Sequence, residues 1–107
     1  MCHCLNCQRR TGSAFSIQAR WPSDRVTIEG NPQTYVLVGD EGSSATFRFC
    51  PTCSATVYWD NDNMPGMITV PVGAFADPTF PPPQVSVYGV RRHPWTTMPA
   101  LVIEELD

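Results

Sequence analysis

The sequence predicts a mainly β protein made of small antiparallel sheets, and three observations carry that prediction. Short runs rich in β-branched and aromatic residues recur along the chain, each bounded by Gly, Pro, Asn or Asp. Proline supplies eleven of the 107 residues, about twice the usual share, which suits short elements and many turns. No segment longer than ten residues carries a helical period. The length fits a single domain over residues 1–107, long enough to bury roughly two thirds of its unfolded surface.

The elements follow in order. TGSAFSIQARW (11–21) leaves a glycine turn and alternates Phe15, Ile17 and Ala19 onto one side, which predicts a strand. RVTIEG (25–30), TYVLVG (34–39), SATFRFC (44–50) and TVYW (56–59) predict the next strands. MITVPVG (67–73), QVSVYG (84–89) and LVIEE (101–105) predict the last. GNP (30–32), GDEG (39–42) and DNDNMPG (60–66) read as turns, and DPTFPPP (77–83) as a rigid, extended connection. One short helix is expected near residues 5–11, from Asn6 and the stop at Gly12.

Net charge is −3 and the pI is near 5.2, which argues against a nucleic-acid module. No apolar run is long enough to span a membrane, and no charged start followed by an apolar run marks a signal peptide. The odd cysteine count of five argues against a secreted disulfide framework. The reducing cytoplasm is therefore expected, where clustered cysteines bind metal or react. All seven basic residues are arginine, and two pairs stand out, Arg9-Arg10 and Arg91-Arg92. Solvated surface charge is the plain reading of both; anion binding through the fixed guanidinium fork is the sharper one.

The cysteines carry the chemistry. CPTC (50–53) places two thiolates where a tight turn can hold one ion, and the strand-like TVYW after it favours metal over a redox pair. CHCLNC (2–7) is a C-x-C-x2-C cluster. In an extended stretch Cys2 and Cys4 face the same side, and Cys7 closes from the following turn. Three thiolates with one empty place describe a catalytic zinc site; four describe a structural one. Three arrangements stay open: one closed site of Cys4, Cys7, Cys50 and Cys53 as in a zinc ribbon, two separate sites, or reduced core cysteines. His3 points away from its cysteine neighbours and is expected to pack or hydrogen-bond, as is His93 in HPW. Trp59 and Trp95 read first as core residues and second as pocket walls.

With CHCLNCQRRTGSAF, FCPTCS, VPVGAF and HPW on the page, the chain resembles the glutathione-dependent formaldehyde-activating enzyme family, which includes centromere protein V. The likeness spans nearly the whole chain. The specific motif C-H-C-x2-C-R-R-x-[ST]-G-[ST]-x-F is kept, with Gln8 in the first arginine position, and Ser54 replaces the glycine usual after the second knuckle. The resemblance implies two small β-sheet layers in a zinc-ribbon-like fold and two zinc ions. It assigns the open, catalytic zinc to Cys2, Cys4 and Cys7. It assigns the closed one to Cys50 and Cys53 plus an upstream C-x-C. That C-x-C and the strand carrying it do not precede Cys2 here, so the second site is expected to be half-built. Cys2 is expected to fray as a chain end, and an open sheet edge is expected to favour a homodimer.

The resemblance further implies a zinc-dependent carbon–sulfur lyase that joins a thiol and an aldehyde, as in S-hydroxymethylglutathione. Arg9 and Arg10 are the first candidates for binding an acidic thiol such as glutathione, and Arg91 and Arg92 weaker ones. The alternatives are a non-catalytic zinc-supported β binding module, an inactive shortened relative, and a redox-responsive thiol protein cycling at Cys50 and Cys53.

Overall fold

The computed structural model describes residues 1–39, 41–97 and 104–107. Its chain divides into two compact units, one of Met1–Gln18 with Asp77–Asp107 and one of Ala19–Ala76. It is mainly β, as the sequence predicts.

The second unit is a five-stranded sheet. Its strands are β1 (Gln18–Pro22), β2 (Gln33–Val38), β3 (Ser44–Phe49), β4 (Thr56–Asn61) and β5 (Met67–Pro71), in the order β1-β5-β4-β3-β2. The β2–β3, β3–β4 and β4–β5 pairs are antiparallel. Alternation sorts the side chains by face. Phe47 sits opposite Trp59, their rings 5.0 Å apart, and Trp59 is the buried aromatic of the sheet at 3% exposure. Thr69, opposite Trp59 on β5, is buried with it. On the other face Arg48 pairs with Asp60 and lies over the Tyr58 ring, 5.3 Å from its centroid. Short 3-10 turns at Ser23–Arg25 and Val72–Phe75 follow β1 and β5, and Trp21 meets Phe75 edge-on at 5.9 Å.

Strand β2 ends the sheet order, and none of its six residues is charged or a proline. Tyr35, Val36 and Val38 are each more than half exposed. Natural edges are commonly blunted by such residues, and this one is not.

The first unit has little regular structure. Helix α1 (Leu5–Thr11) lies where it was expected, ending on Gly12 in the left-handed conformation that glycine tolerates best (φ 66°). Its N-cap is Cys4, not Asn6. Residues 1–3 run extended between two neighbours: Cys2 pairs antiparallel with Ser16 and parallel with Val87. β6 (Val85–Ser86) pairs in parallel with β7 (Glu104–Glu105), and Gly89–Arg91 form a last 3-10 turn.

Several expectations need correction. RVTIEG forms no strand among the described residues: Arg25 is drawn into the 3-10 turn closed by Val26 N–H on the Ser23 carbonyl (3.2 Å). Its β-branched residues find no partner strand, and Ile28 stays 47% exposed. In the segment after Gly12 the buried positions are Ala14 and Ser16, not Phe15 and Ile17, because Ser16 is the residue that pairs with Cys2. QVSVYG shrinks to Val85–Ser86, with Val87 in a lone bridge; Tyr88, at φ 57°, turns the chain away. In LVIEE only residues 104 and 105 are described, and they are β7.

Candidate metal centre

The geometry of the site begins with the backbone of residues 1–4. Cys2 N–H donates to the Ser16 carbonyl (2.8 Å), and Ser16 N–H returns the bond (2.9 Å). On the opposite flank His3 N–H donates to Val87 (3.1 Å), Val87 N–H to Met1 (2.9 Å), and the terminal ammonium to Val85 (2.9 Å). Cys2 is thus held from both sides and only 7% exposed. The expectation of a frayed ligand is wrong, because hydrogen bonds to the distant segments at Ser16 and Val85–Val87 hold residues 1–3 on both flanks.

Alternation then turns His3 away from the cysteines. Its ring is fully buried, with Nε2 3.0 Å from Ser86 Oγ and its plane edge-on to Phe15. Burial lowers its pKa, reinforced by the Arg92 guanidinium and the chain's own ammonium. It is a neutral, packed side chain, as the plain reading of the sequence held.

Cys2, Cys4 and Cys7 come together, all three sulfurs within 4.8 Å of one another. Among the described residues they are the cluster of metal-ligand type, and they do not include Cys50 or Cys53. Cys4 caps helix α1, its sulfur accepting the Cys7 N–H at 3.3 Å. Hydrogen bonds from the Cys2 and Cys7 thiols, then this backbone contact and one from Asn6, lower Cys4 to about 2. Donating a hydrogen bond to Cys4 raises the Cys2 thiol, and donating to Cys2 and then to Cys4 raises the Cys7 thiol, both above the ordinary thiol range. Without metal, the cluster therefore concentrates its negative charge on Cys4. The side-chain amide of Gln18 adds a donor to Cys7, 3.5 Å from its sulfur.

Does this set fit zinc? Thiolates about 2.3 Å from a tetrahedral zinc stand about 3.8 Å apart. Three sulfurs within 4.8 Å need only small rotations to reach that spacing. The donor set is that of a zinc or other thiophilic ion.

Gln8 ties the cluster to HPW. Its Nε2 donates to the carbonyls of His3 (2.8 Å) and Arg91 (3.1 Å), so its Oε1 must be the atom facing His93, 2.8 Å from Nε2. An amide oxygen only accepts, which puts the His93 proton on Nε2. Beside this bridge lies a groove of about 580 Å³, lined by Gln8, Arg9, Ser13, Ala14, His93 and Trp95 among others. Trp95 is 71% exposed, which corrects its core reading, whereas Trp59 is core as expected. The two arginines of the motif separate. Arg9 is exposed and bonds Asn6 Oδ1 (2.9 Å); Arg10 is half-buried and donates to the buried Ser16 hydroxyl (2.8 Å). Arg91 and Arg92 are exposed in and after the last 3-10 turn. Gln8 was not read as a site residue, its place in the motif being the one signal, and Trp95 was read as a pocket wall only after the core reading.

Cys50 and Cys53 occupy the β3–β4 turn of the sheet unit. Cys50 N–H bonds Ala55 (2.9 Å) and Ser54 N–H bonds Cys50 (2.8 Å). The backbone N–H groups of Cys53 and Thr52 lower the Cys50 thiol pKa. Ser54 has φ 65°, a left-handed position suited to glycine, which accounts for the glycine usual there in the motif.

A β-rich fold with an exposed turn knuckle and a three-cysteine cluster of metal-ligand type at a helix cap defines a small β protein with a candidate thiolate site. The chain matches the family model of the glutathione-dependent formaldehyde-activating enzyme over residues 1–91, and it belongs to that family. No curated protein matches it. Membership ties the chain to glutathione and formaldehyde chemistry. No helix is long and apolar enough to cross a membrane.

Proposed function

We propose that this protein is a zinc-dependent carbon–sulfur lyase that forms or cleaves a thiol–aldehyde adduct of the S-hydroxymethylglutathione type. The observation that carries the reading is the convergence of three cysteine sulfurs, with Cys2 locked in place and Cys4 and Cys7 half-buried, so that the cluster is both held and reachable. Cys2, Cys4 and Cys7 are the proposed ligands, and Cys50 and Cys53 the proposed half of a second site. When bound, zinc on three thiolates supplies a fourth place for a thiol and a positive charge that favours its ionised form.

The chain's own part is position and shielding. In the forward direction the thiol sulfur bonds to the carbonyl carbon, the C=O π pair moves to oxygen, and the thiol's proton ends there. The reverse breaks the C–S bond and returns the proton to sulfur. His3 is too deeply buried, and its Nε2 too closely engaged, to serve as the base. It holds the loop instead, while Gln18 orients Cys7 and Gln8 orients the loop against HPW.

The test is formaldehyde consumption by zinc-loaded protein with and without glutathione. The expected result is glutathione-dependent turnover that Cys4→Ser abolishes. Protein that holds zinc at this cluster yet consumes no aldehyde with any small thiol overturns the proposal.

One observation favours a second reading, a non-catalytic zinc-supported β module. That observation is the uncharged edge strand β2, with Tyr35, Val36 and Val38 exposed. Under either reading we propose that this edge pairs with a second copy, since an uncharged strand meets its own copy without like-charge repulsion.

A further inference from the structure

The proton of the proposed reaction leaves a thiol and ends on a carbonyl oxygen, and the fully buried His3 does not carry it. We propose that His93 is the catalytic base, taking the thiol proton on Nδ1 and passing it to the new hydroxymethyl oxygen, with Gln8 as the residue that positions its ring. This rests on the reading of the protein as a carbon–sulfur lyase, and it names the group that moves the proton.

Hydrogen bonding selects the nitrogen. Gln8 Nε2 is committed to the carbonyls of His3 and Arg91, so Oε1 meets His93 Nε2 at 2.8 Å. The oxygen only accepts, so the neutral ring carries its proton on Nε2 and a lone pair on Nδ1. Among the described residues Nδ1 takes no hydrogen bond, and, unlike Nδ1 of His3, it is not a buried atom left without one. The arrangement depends on a departure from the family motif, since position 8 is glutamine where the motif has arginine. Arginine has no acceptor. At position 8 it would meet Nε2 with a donor and drive the ring proton onto Nδ1.

The groove offers no rival. Of the residues lining it, Arg9 and His93 are the ionisable ones, and a guanidinium does not give up its proton. His93 is half-buried and stands edge-on to Trp95 with centroids 5.2 Å apart, so its ring is held on one side by Gln8 and flanked by an indole.

Gln8 also ties the ring to the sulfurs. It follows Cys7 directly, with Cα atoms about 3.8 Å apart, and its amide grips the carbonyl of His3, between Cys2 and Cys4. One side chain and one hydrogen bond separate the ring from the backbone that carries the cluster. A thiol at the cluster then has the ring within reach, directly or over one water. The step balances. Nδ1 takes the thiol proton as sulfur bonds to the carbonyl carbon and the C=O π pair moves to oxygen, and the imidazolium gives that proton to the oxygen. In reverse, Nδ1 takes the hydroxyl proton, the C–S bond breaks, and sulfur is reprotonated.

His93→Gln separates a base from a brace, because its amide nitrogen replaces Nε2 and still donates to Gln8. With formaldehyde and glutathione, the zinc-loaded variant should lose about 100-fold or more in kcat with little change in KM, the usual contribution of a positioned acid–base group. Zinc content and melting should match the wild type, and added imidazole should restore part of the rate. A second measurement needs no turnover. Long-range proton–nitrogen NMR of the zinc-loaded wild type should find the His93 proton on Nε2, and in Gln8→Arg on Nδ1. A kcat within about threefold of wild type, below any positioned base's contribution, overturns the base. A loss that imidazole leaves untouched, or a wild-type proton on Nδ1, overturns it too. If the wild type turns over and His93→Gln keeps its rate, the base fails and the lyase reading stands. If the zinc-loaded wild type consumes no aldehyde with any small thiol, the lyase reading fails and takes the base with it.

Discussion

The two units solve the problem of staying folded in different ways. The sheet unit, Ala19–Ala76, uses long registered pairings and a buried Trp59 against Phe47 and opposite Thr69. Among the described residues, the cysteine-cluster unit buries side chains of another kind: His3, Ser16, Ser86 and Thr96, together with Cys2 and Ala14 on the apolar side. Its described interior is polar and only partly hydrogen-bonded, with His3 Nε2 on Ser86 and the Ser16 hydroxyl on Arg10, and such a set contributes little net stability while being costly to leave unpaired. The lesson is that one unit is organised by registered strand pairing around Trp59, and the other by polar contacts beside the three-sulfur cluster.

The strongest way to break that comparison is to take the metal away. In small zinc modules metal binding is worth about 10–16 kcal/mol and is inseparable from folding. Chelation of the zinc-loaded protein should therefore strip hydrogen-exchange protection from the amides of Cys2, Ser16 and Val87, while β3 and β4 amides keep theirs. Uniform loss across both units would show that the sheet does not stand by itself. The mirror experiment is Trp59→Ala, expected to destabilise by about 3–5 kcal/mol in denaturant melts, the usual cost of deleting a buried large aromatic. Its zinc content should not change. A variant that loses zinc along with stability contradicts the division of labour.

How much of this was legible in the sequence follows the same line. Local signals were reliable: α1 ends on Gly12 as the glycine stop requires, and TYVLVG, SATFRFC and TVYW became registered strands. The C-x-C-x2-C spacing was enough to bring three sulfurs together. What sequence could not carry was decided at long range. Cys2 reads as a loose end because its partners, Ser16 and Val87, lie on segments that nothing local links to it. RVTIEG has strand composition but no neighbour to pair with. Trp95 reads as core because tryptophan is mostly buried on average, and only the fold shows it exposed over a groove. The separation of Arg9 from Arg10 needed the position of Ser16.

A smaller effect sharpens the account of the polar interior. Ser86→Ala removes the partner of His3 Nε2 in a fully buried place, and His3 Nδ1 already has none among the described residues. The expected cost is about 1–3 kcal/mol, the penalty for orphaning a buried polar group. Differential scanning calorimetry of zinc-loaded wild type and variant measures it. A neutral result would mean that the ring is held by packing against Phe15 alone.

The smallest effect on stability tests the sheet unit's edge. Val36 lies in mid-strand on β2, exposed, opposite Thr46 on β3. Lysine keeps the strand backbone intact, so Val36→Lys should change folding stability by less than about 0.5 kcal/mol, as surface substitutions do. Its consequence should instead appear in assembly. Two copies paired along β2 bring position 36 of each chain near the shared axis, and a lysine there sets like charges against each other. Sedimentation should find a dimer for the wild type and a monomer for the variant, with the same zinc content and melting curve. A wild type that stays monomeric at every concentration, or a variant that still dimerises, removes β2 as the interface. The cysteine-cluster unit's chemistry would then stand without it.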